Sequence, residues 1–114
     1  VLSGHVHCYQ RFTRSKDGGD IPYLIAGAGG YAHSPRALHQ LQTDDSKNPI
    51  QVPFATLTEG VTLSAYQTSN PGYLRITITA TTLVGEYFAV PFNGPAPTAP
   101  VDTFTLDWKN HKLI

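Results

Sequence analysis

Residues 60–67, 73–79 and 83–90 are three runs rich in β-branched and aromatic side chains, parted by short turn-like segments, and no other pattern in the chain constrains its fold more. Runs of this length and spacing read as strands, here as an antiparallel meander. In the middle run Leu74, Ile76 and Ile78 alternate with Tyr73, Arg75, Thr77 and Thr79. A strand there has one apolar face and one wetter face, and only one of them is fully buried. Residues 91–100 hold four prolines and a glycine, which excludes regular structure and makes them a connector. Alternation resumes over residues 101–108, with Phe104, Leu106 and Trp108 on one side and Thr103, Thr105 and Asp107 on the other. A last strand is expected there, followed by a basic tail over residues 109–112.

The first half is less regular. Residues 9–14 and 21–26 flank Ser15-Lys16-Asp17-Gly18-Gly19-Asp20. Asp-Gly and Gly-Gly tolerate the positive φ of tight turns, so a hairpin is expected. Gly27-Ala28-Gly29-Gly30 ends its second strand, and residues 34–41 have a brief helical look with Pro35 in a first-turn position. Residues 43–53 are polar and include Asn48-Pro49, which favours an exposed loop. The organisation expected is residues 1–42 as a histidine loop, hairpin and Gly-rich loop, residues 43–59 as irregular chain, and residues 60–114 as the meander.

A chain of 114 residues fits one domain. Eight basic residues balance eight acidic ones, so there is no electrostatic footprint for nucleic acid or for an anionic membrane surface. No apolar run approaches the roughly 18 residues of a membrane span. Cys8 is the one cysteine, so an intramolecular disulfide is impossible and the compartment stays open. The chain opens on Val1 and the short apolar stretch Val1-Leu2-Ser3, which reads as the end of a buried strand. A fragment of a longer chain is therefore expected, any signal peptide having been lost with the missing part.

That stretch runs into Gly4-His5-Val6-His7. On an extended segment the two imidazoles project to the same side, and a neutral imidazole binds a divalent metal at about 2.0–2.1 Å. The pair can grip one ion or serve two ions roughly 3.5–4 Å apart. Cys8 then points the other way, as a small buried residue rather than a ligand, while Tyr9 and Arg11 return to the histidine side. Gly27-Ala28-Gly29-Gly30-Tyr31-Ala32 formally satisfies a dinucleotide-binding pattern. It lacks the crossover helix and second parallel strand such a site needs, and reads as a tight loop instead.

Leu2-Ser3-Gly4-His5-Val6-His7-Cys8-Tyr9-Gln10-Arg11-Phe12 resembles the last motif block of the calcineurin-like metallophosphoesterases, in particular the purple acid phosphatase-like branch. The resemblance continues through residues 21–31, 72–76, 85–87 and 104–106, as the C-terminal portion of a larger enzyme. It implies an α+β fold, the C-terminal part of a four-layer α/β/β/α sandwich, with this chain mostly antiparallel β. It implies that His5 ligates one metal and His7 its neighbour in a dinuclear centre of two divalent or trivalent ions of the Fe, Zn or Mn type. The reaction implied is hydrolysis of a phosphate ester. Two cations supply an activated water, whose pKa one such ion can lower from about 16 to about 7, and a clamp on the attacking and leaving oxygens. The family's aspartates, asparagine and further histidine lie earlier in sequence, and none of those motifs is present here. As an isolated chain the protein is thus expected to be inactive, its partners being the phosphate ester and the missing N-terminal part of the domain.

Around this pair Arg11, Tyr9 and His33 are candidates for supporting the ligands or lining the substrate rim, with an ordinary ion pair as the plainer role for Arg11 and a polar loop position for His33 and His39. His111 reads as solvated. Two other classes fit the same sequence. One is a non-enzymatic β-sandwich binding module using exposed aromatics such as Tyr66 or Tyr73. The other is a mononuclear metal protein in which His5 and His7 share an ion with His33 or His39.

Overall fold

A computed structural model of the chain describes residues 1–30, 38–41 and 43–114. The described residues form nine strands in two sheets. The first sheet contains β1 (Leu2–Ser3), β2 (Tyr9–Lys16), β3 (Gly19–Ala26), β4 (Phe54–Ala55) and β5 (Val61–Gln67), in the order β1-β3-β2-β5-β4. The second is a meander of β6 (Gly72–Ile78), β7 (Thr82–Ala89), β8 (Asp102–Asp107) and β9 (Lys112–Leu113), in that order.

The expected hairpin is present, and its turn is tighter than the six-residue segment suggested. β2 and β3 pair antiparallel down to Lys16 and Gly19, leaving Asp17-Gly18 as a two-residue turn with φ of 51° and 78°. Both central residues take positive φ, as a type I′ turn requires. β1 pairs parallel with the far side of β3, so the chain must pass over the end of β3 to reach β2. Residues 4–8 make that crossing.

The two sheets meet through their inner faces. Tyr9 on β2 lies flat on Tyr87 of β7, with ring centroids 3.9 Å apart and planes within 7°. Both rings are fully buried, as is Cys8. Leu24, Phe104 and Ala89 complete this part of the core. The register Leu74–Tyr87–Asp102 and Ile76–Gly85–Phe104 puts these residues on one face of the second sheet. At the hairpin end the sheets are tied through the backbone, Asp20 N–H donating to His111 C=O at 2.7 Å. On the opposite face of the first sheet Phe12, Leu63, Tyr23 and Phe54 gather at facing register positions, with only Leu63 buried.

Several expectations are corrected. The α+β class and the four-layer α/β/β/α sandwich do not hold: the described chain is all-β, two sheets with no helix. The helical look of residues 34–41 does not survive in residues 38–41, which are irregular; residues 34–37 lie outside the described residues. Tertiary bonds hold that segment flat, His39 N–H donating to His7 C=O at 2.9 Å and Gln40 Nε2 to Thr68 C=O at 2.8 Å. Local propensity is weak against such contacts.

The meander loses its first run. β5 pairs with β2 and β4 in the first sheet, and residues 68–71 carry the chain across to β6. β1 is exposed rather than buried, Leu2 being 59% accessible. The apolar face of β6 is only partly covered, since Ile78 remains 68% exposed. Opposite it stands β1, too short to roof it. The basic tail folds back: Asp107 Oδ1 accepts from the N–H groups of Lys109 and Asn110, and β9 pairs with β8. His111 sits in that turn at a φ of 53°, with its carbonyl bonded to Asp20.

Candidate metal-ligand loop

The segment that carries both histidines is not extended. Val6 N–H donates to Gly4 C=O at 2.9 Å, closing a three-residue turn with His5 at its apex and a φ of 71°. This is the strained form of the γ-turn, and positive φ in a non-glycine residue is uncommon. Cys8 N–H then donates to Val6 C=O at 2.8 Å, closing a second turn around His7. His7 does not share the positive φ, so its turn is the common inverse form. Each imidazole thus stands at the apex of its own turn. Strand alternation no longer decides which way either ring faces, which corrects the extended geometry expected above.

Gly27 makes the crossing possible. A Cβ there would run into the Val6 carbonyl and come within 3.3 Å of the His5 nitrogen. The loop lies directly on the backbone that ends β3, and Gly27 N–H donates back to Cys8 C=O at 3.2 Å. The Gly-rich stretch therefore serves close approach first, with the positive φ of 74° falling on Gly30. Tyr31 and Ala32 lie outside the described residues, as does His33.

His5 is exposed, and its ring makes no hydrogen bond among the described residues. His7 is half-buried. Its backbone N–H donates to His39 Nδ1 at 2.8 Å, and the two rings stack with centroids 4.9 Å apart and planes within 15°. Cys8 is buried, with Gln10 Nε2 3.1 Å from Sγ. Burial pushes its thiol pKa up, partly opposed by the Gln10 hydrogen bond. A buried protonated thiol of this kind is chemically quiet.

Tyr9 and Arg11 are engaged away from the histidines. Arg11 forms a two-pronged pair with Asp102 of β8, Nε to Oδ2 at 2.8 Å and Nη2 to Oδ1 at 2.9 Å, and Tyr9 Oη donates to the same Oδ2 at 2.6 Å. The Arg11 guanidinium also lies 5.3 Å from the centre of the Phe104 ring. Burial alone would push the Asp102 carboxyl up. The hydrogen bonds from Arg11 and Tyr9 and the Arg11 charge outweigh it and hold the group below the ordinary carboxylate range. Burial, with Asp102 second, drives the Tyr9 phenol far above its usual value and keeps it protonated. Asp102 was the residue sequence reasoning missed. Its parity with Phe104 and Leu106 was the available signal, because a carboxylate on an apolar face requires a cation across from it.

Among the described residues no three of His, Cys, Asp and Glu come together around a point. Two imidazoles are chemically suited to a borderline divalent cation, and alone they would fall short of the three or more protein ligands such ions ordinarily take. None of the comparisons with protein-family models, curated proteins and solved structures finds a match. The case for the loop therefore stands on its residues and their geometry.

Proposed function

We propose that this chain is the histidine-bearing C-terminal portion of a metal-dependent phosphoesterase, contributing His5 and His7 to a dinuclear centre and inactive alone. The observation that supports it is the pair of consecutive γ-turns at residues 4–8, with the strained φ of 71° on His5. Strained non-glycine backbone clusters at binding and catalytic sites, because only a functional demand or a rigid surround sustains it. When bound, two cations activate a water and stabilise charge on the phosphoryl oxygens. The chain's own share is narrower. His5 and His7 offer ring nitrogens from a loop fixed on Gly27, and the partly buried Tyr9–Arg11–Asp102 cluster anchors the strand that follows. The remaining ligands belong, on this reading, to earlier sequence.

Zn²⁺ titration of the chain and of His5→Ala and His7→Ala tests the proposal. Each substitution is expected to weaken uptake by at least about tenfold, and the unmodified chain is expected not to hydrolyse a generic phosphomonoester. Equal uptake by all three proteins, or robust metal-dependent turnover by the chain, would contradict it.

One observation favours a second reading, the β-sandwich binding module. Tyr73 is 51% exposed and lies against Phe88, with ring centroids 5.0 Å apart, while Arg75 covers the same Phe88 ring at 4.9 Å. Phe88 itself is buried at 5% exposure, so the surface offered is the Tyr73 ring alone, backed by Phe88. Tyr66 is less suited, since its hydroxyl is bonded to Ile50 C=O at 2.9 Å. Mononuclear binding with His39 fits less well, because His39 Nδ1 already accepts from the His7 amide.

A further inference from the structure

A residue at a γ-turn apex has a backbone N–H and C=O that the turn itself does not use. At His7 both are taken up by one distant residue. His39 Nδ1 accepts the His7 N–H at 2.8 Å, and His39 N–H donates to the His7 carbonyl at 2.9 Å. The same His39 ring stacks on the His7 ring, 4.9 Å away and inclined by 15°. Three contacts of different kinds thus join two residues 32 positions apart. His39 is itself held on both sides: Leu38 is buried at 4% exposure, and Gln40 Nε2 is fixed to Thr68 C=O at 2.8 Å. The anchor is tied to the end of β5 and does not simply follow the loop it grips.

We infer that His39 is a positioning residue for His7, fixing the apex of its turn through the backbone and its imidazole through the stack. Acceptance at Nδ1 puts the proton of the neutral His39 ring on Nε2. The backbone bonds fix where the His7 Cα sits, and the stack restricts the rotamers its ring can take. A ligand restricted in this way loses less conformational freedom on binding a cation. The consequence for metal affinity rests on the proposed reading of His7 as a ligand; the hold of His39 on His7 does not.

The test separates the two. In the uniformly nitrogen-15-labelled chain, a scalar coupling across the hydrogen bond between the His7 amide nitrogen and His39 Nδ1 is expected, and its measurement requires no variant to fold. His39→Phe keeps an aromatic ring and removes the acceptor; His39→Asn keeps a side-chain acceptor and removes the stack. The His7 amide resonance is expected to move strongly upfield in the first and to stay near its original position in the second. With Zn²⁺ alone as probe, both variants are expected to bind about tenfold or more weakly, the usual effect of removing a ligand's orienting partner. Absence of the coupling together with an unmoved His7 amide in His39→Phe would overturn the inference. Zn²⁺ binding by both variants as tight as that of the unmodified chain, with the coupling present, would overturn the consequence for metal affinity and uphold the hold of His39 on His7. A coupling in a chain that takes up no Zn²⁺ would uphold the positioning and remove the ligand reading.

Discussion

Gly27 has room for a hydrogen on its Val6 side and for nothing larger. The loop that presents His5 and His7 rests on that one position, so Gly27→Ala must lift residues 5 and 6 or strain the end of β3. Overpacking of this kind costs about 1–3 kcal/mol. Gly27→Ala is therefore expected to lower stability by about 2 kcal/mol in urea unfolding and to weaken Zn²⁺ uptake along with it. Unchanged stability would show that the loop does not lie on Gly27. At this scale the sequence was legible where the demand is local: Asp17-Gly18 carries its own turn chemistry, and both residues take the positive φ expected of them. Gly27 was not legible in the same way, because its constraint comes from the carbonyl of Val6, 21 residues earlier in the chain. The bend of residues 4–8 was hidden for a related reason. An apolar start followed by His-x-His reads as strand, and only the crossing over β3 forces it to turn.

Between elements, the joint that matters most is the tie from β2 to β8. Arg11 and Asp102 have side-chain exposures of 12% and 10%, so their pair works in a largely dry setting and shares its acceptor with Tyr9. Removing one partner of a buried pair leaves the other charge unmatched, at a cost of about 3–5 kcal/mol. Asp102→Ala is expected to lose about 3 kcal/mol of stability at neutral pH. The folded carboxyl lies below its ordinary value of about 3.9, so its contribution is complete above that pH and disappears as pH falls through the lowered value. The gap between the original chain and Asp102→Ala should therefore narrow below about pH 4, measured by denaturant unfolding across the acid range. A gap that widened on acidification would reverse the assignment. Strand positions were largely visible in the alternation, while strand partners were not. The run at residues 60–67 looks like the first member of a meander, yet it bonds to β2 because residues 68–71 take the chain to the other sheet. Period-2 patterning specifies a face, and pairing is decided by the loops and the neighbours available.

Across the whole molecule, the helical layers came only from the family resemblance, whereas the strand content was carried by the residues themselves. The two-sheet arrangement leaves an open groove between β1 and β6, lined by Leu2, Ala26, Gly72, Leu74 and Ile76. Both strands are sheet edges, and Val1, Leu2 and Ile78 are 67%, 59% and 68% exposed. Unpaired edges flanked by apolar side chains promote pairing with other chains. Light scattering is expected to show mass rising with concentration, and Ile78→Lys to suppress the rise; a sharply monomeric profile at every concentration would argue for a self-sufficient domain. The central claim, that the doubly turned loop is a metal-ligand loop, is tested most directly by imidazole nitrogen-15 spectra recorded during the Zn²⁺ titration. The ring nitrogens of His5 and His7 are expected to show coordination shifts while those of His111 stay in place. Shifts spread evenly over all five histidines, or confined to histidines other than His5 and His7, would contradict the claim.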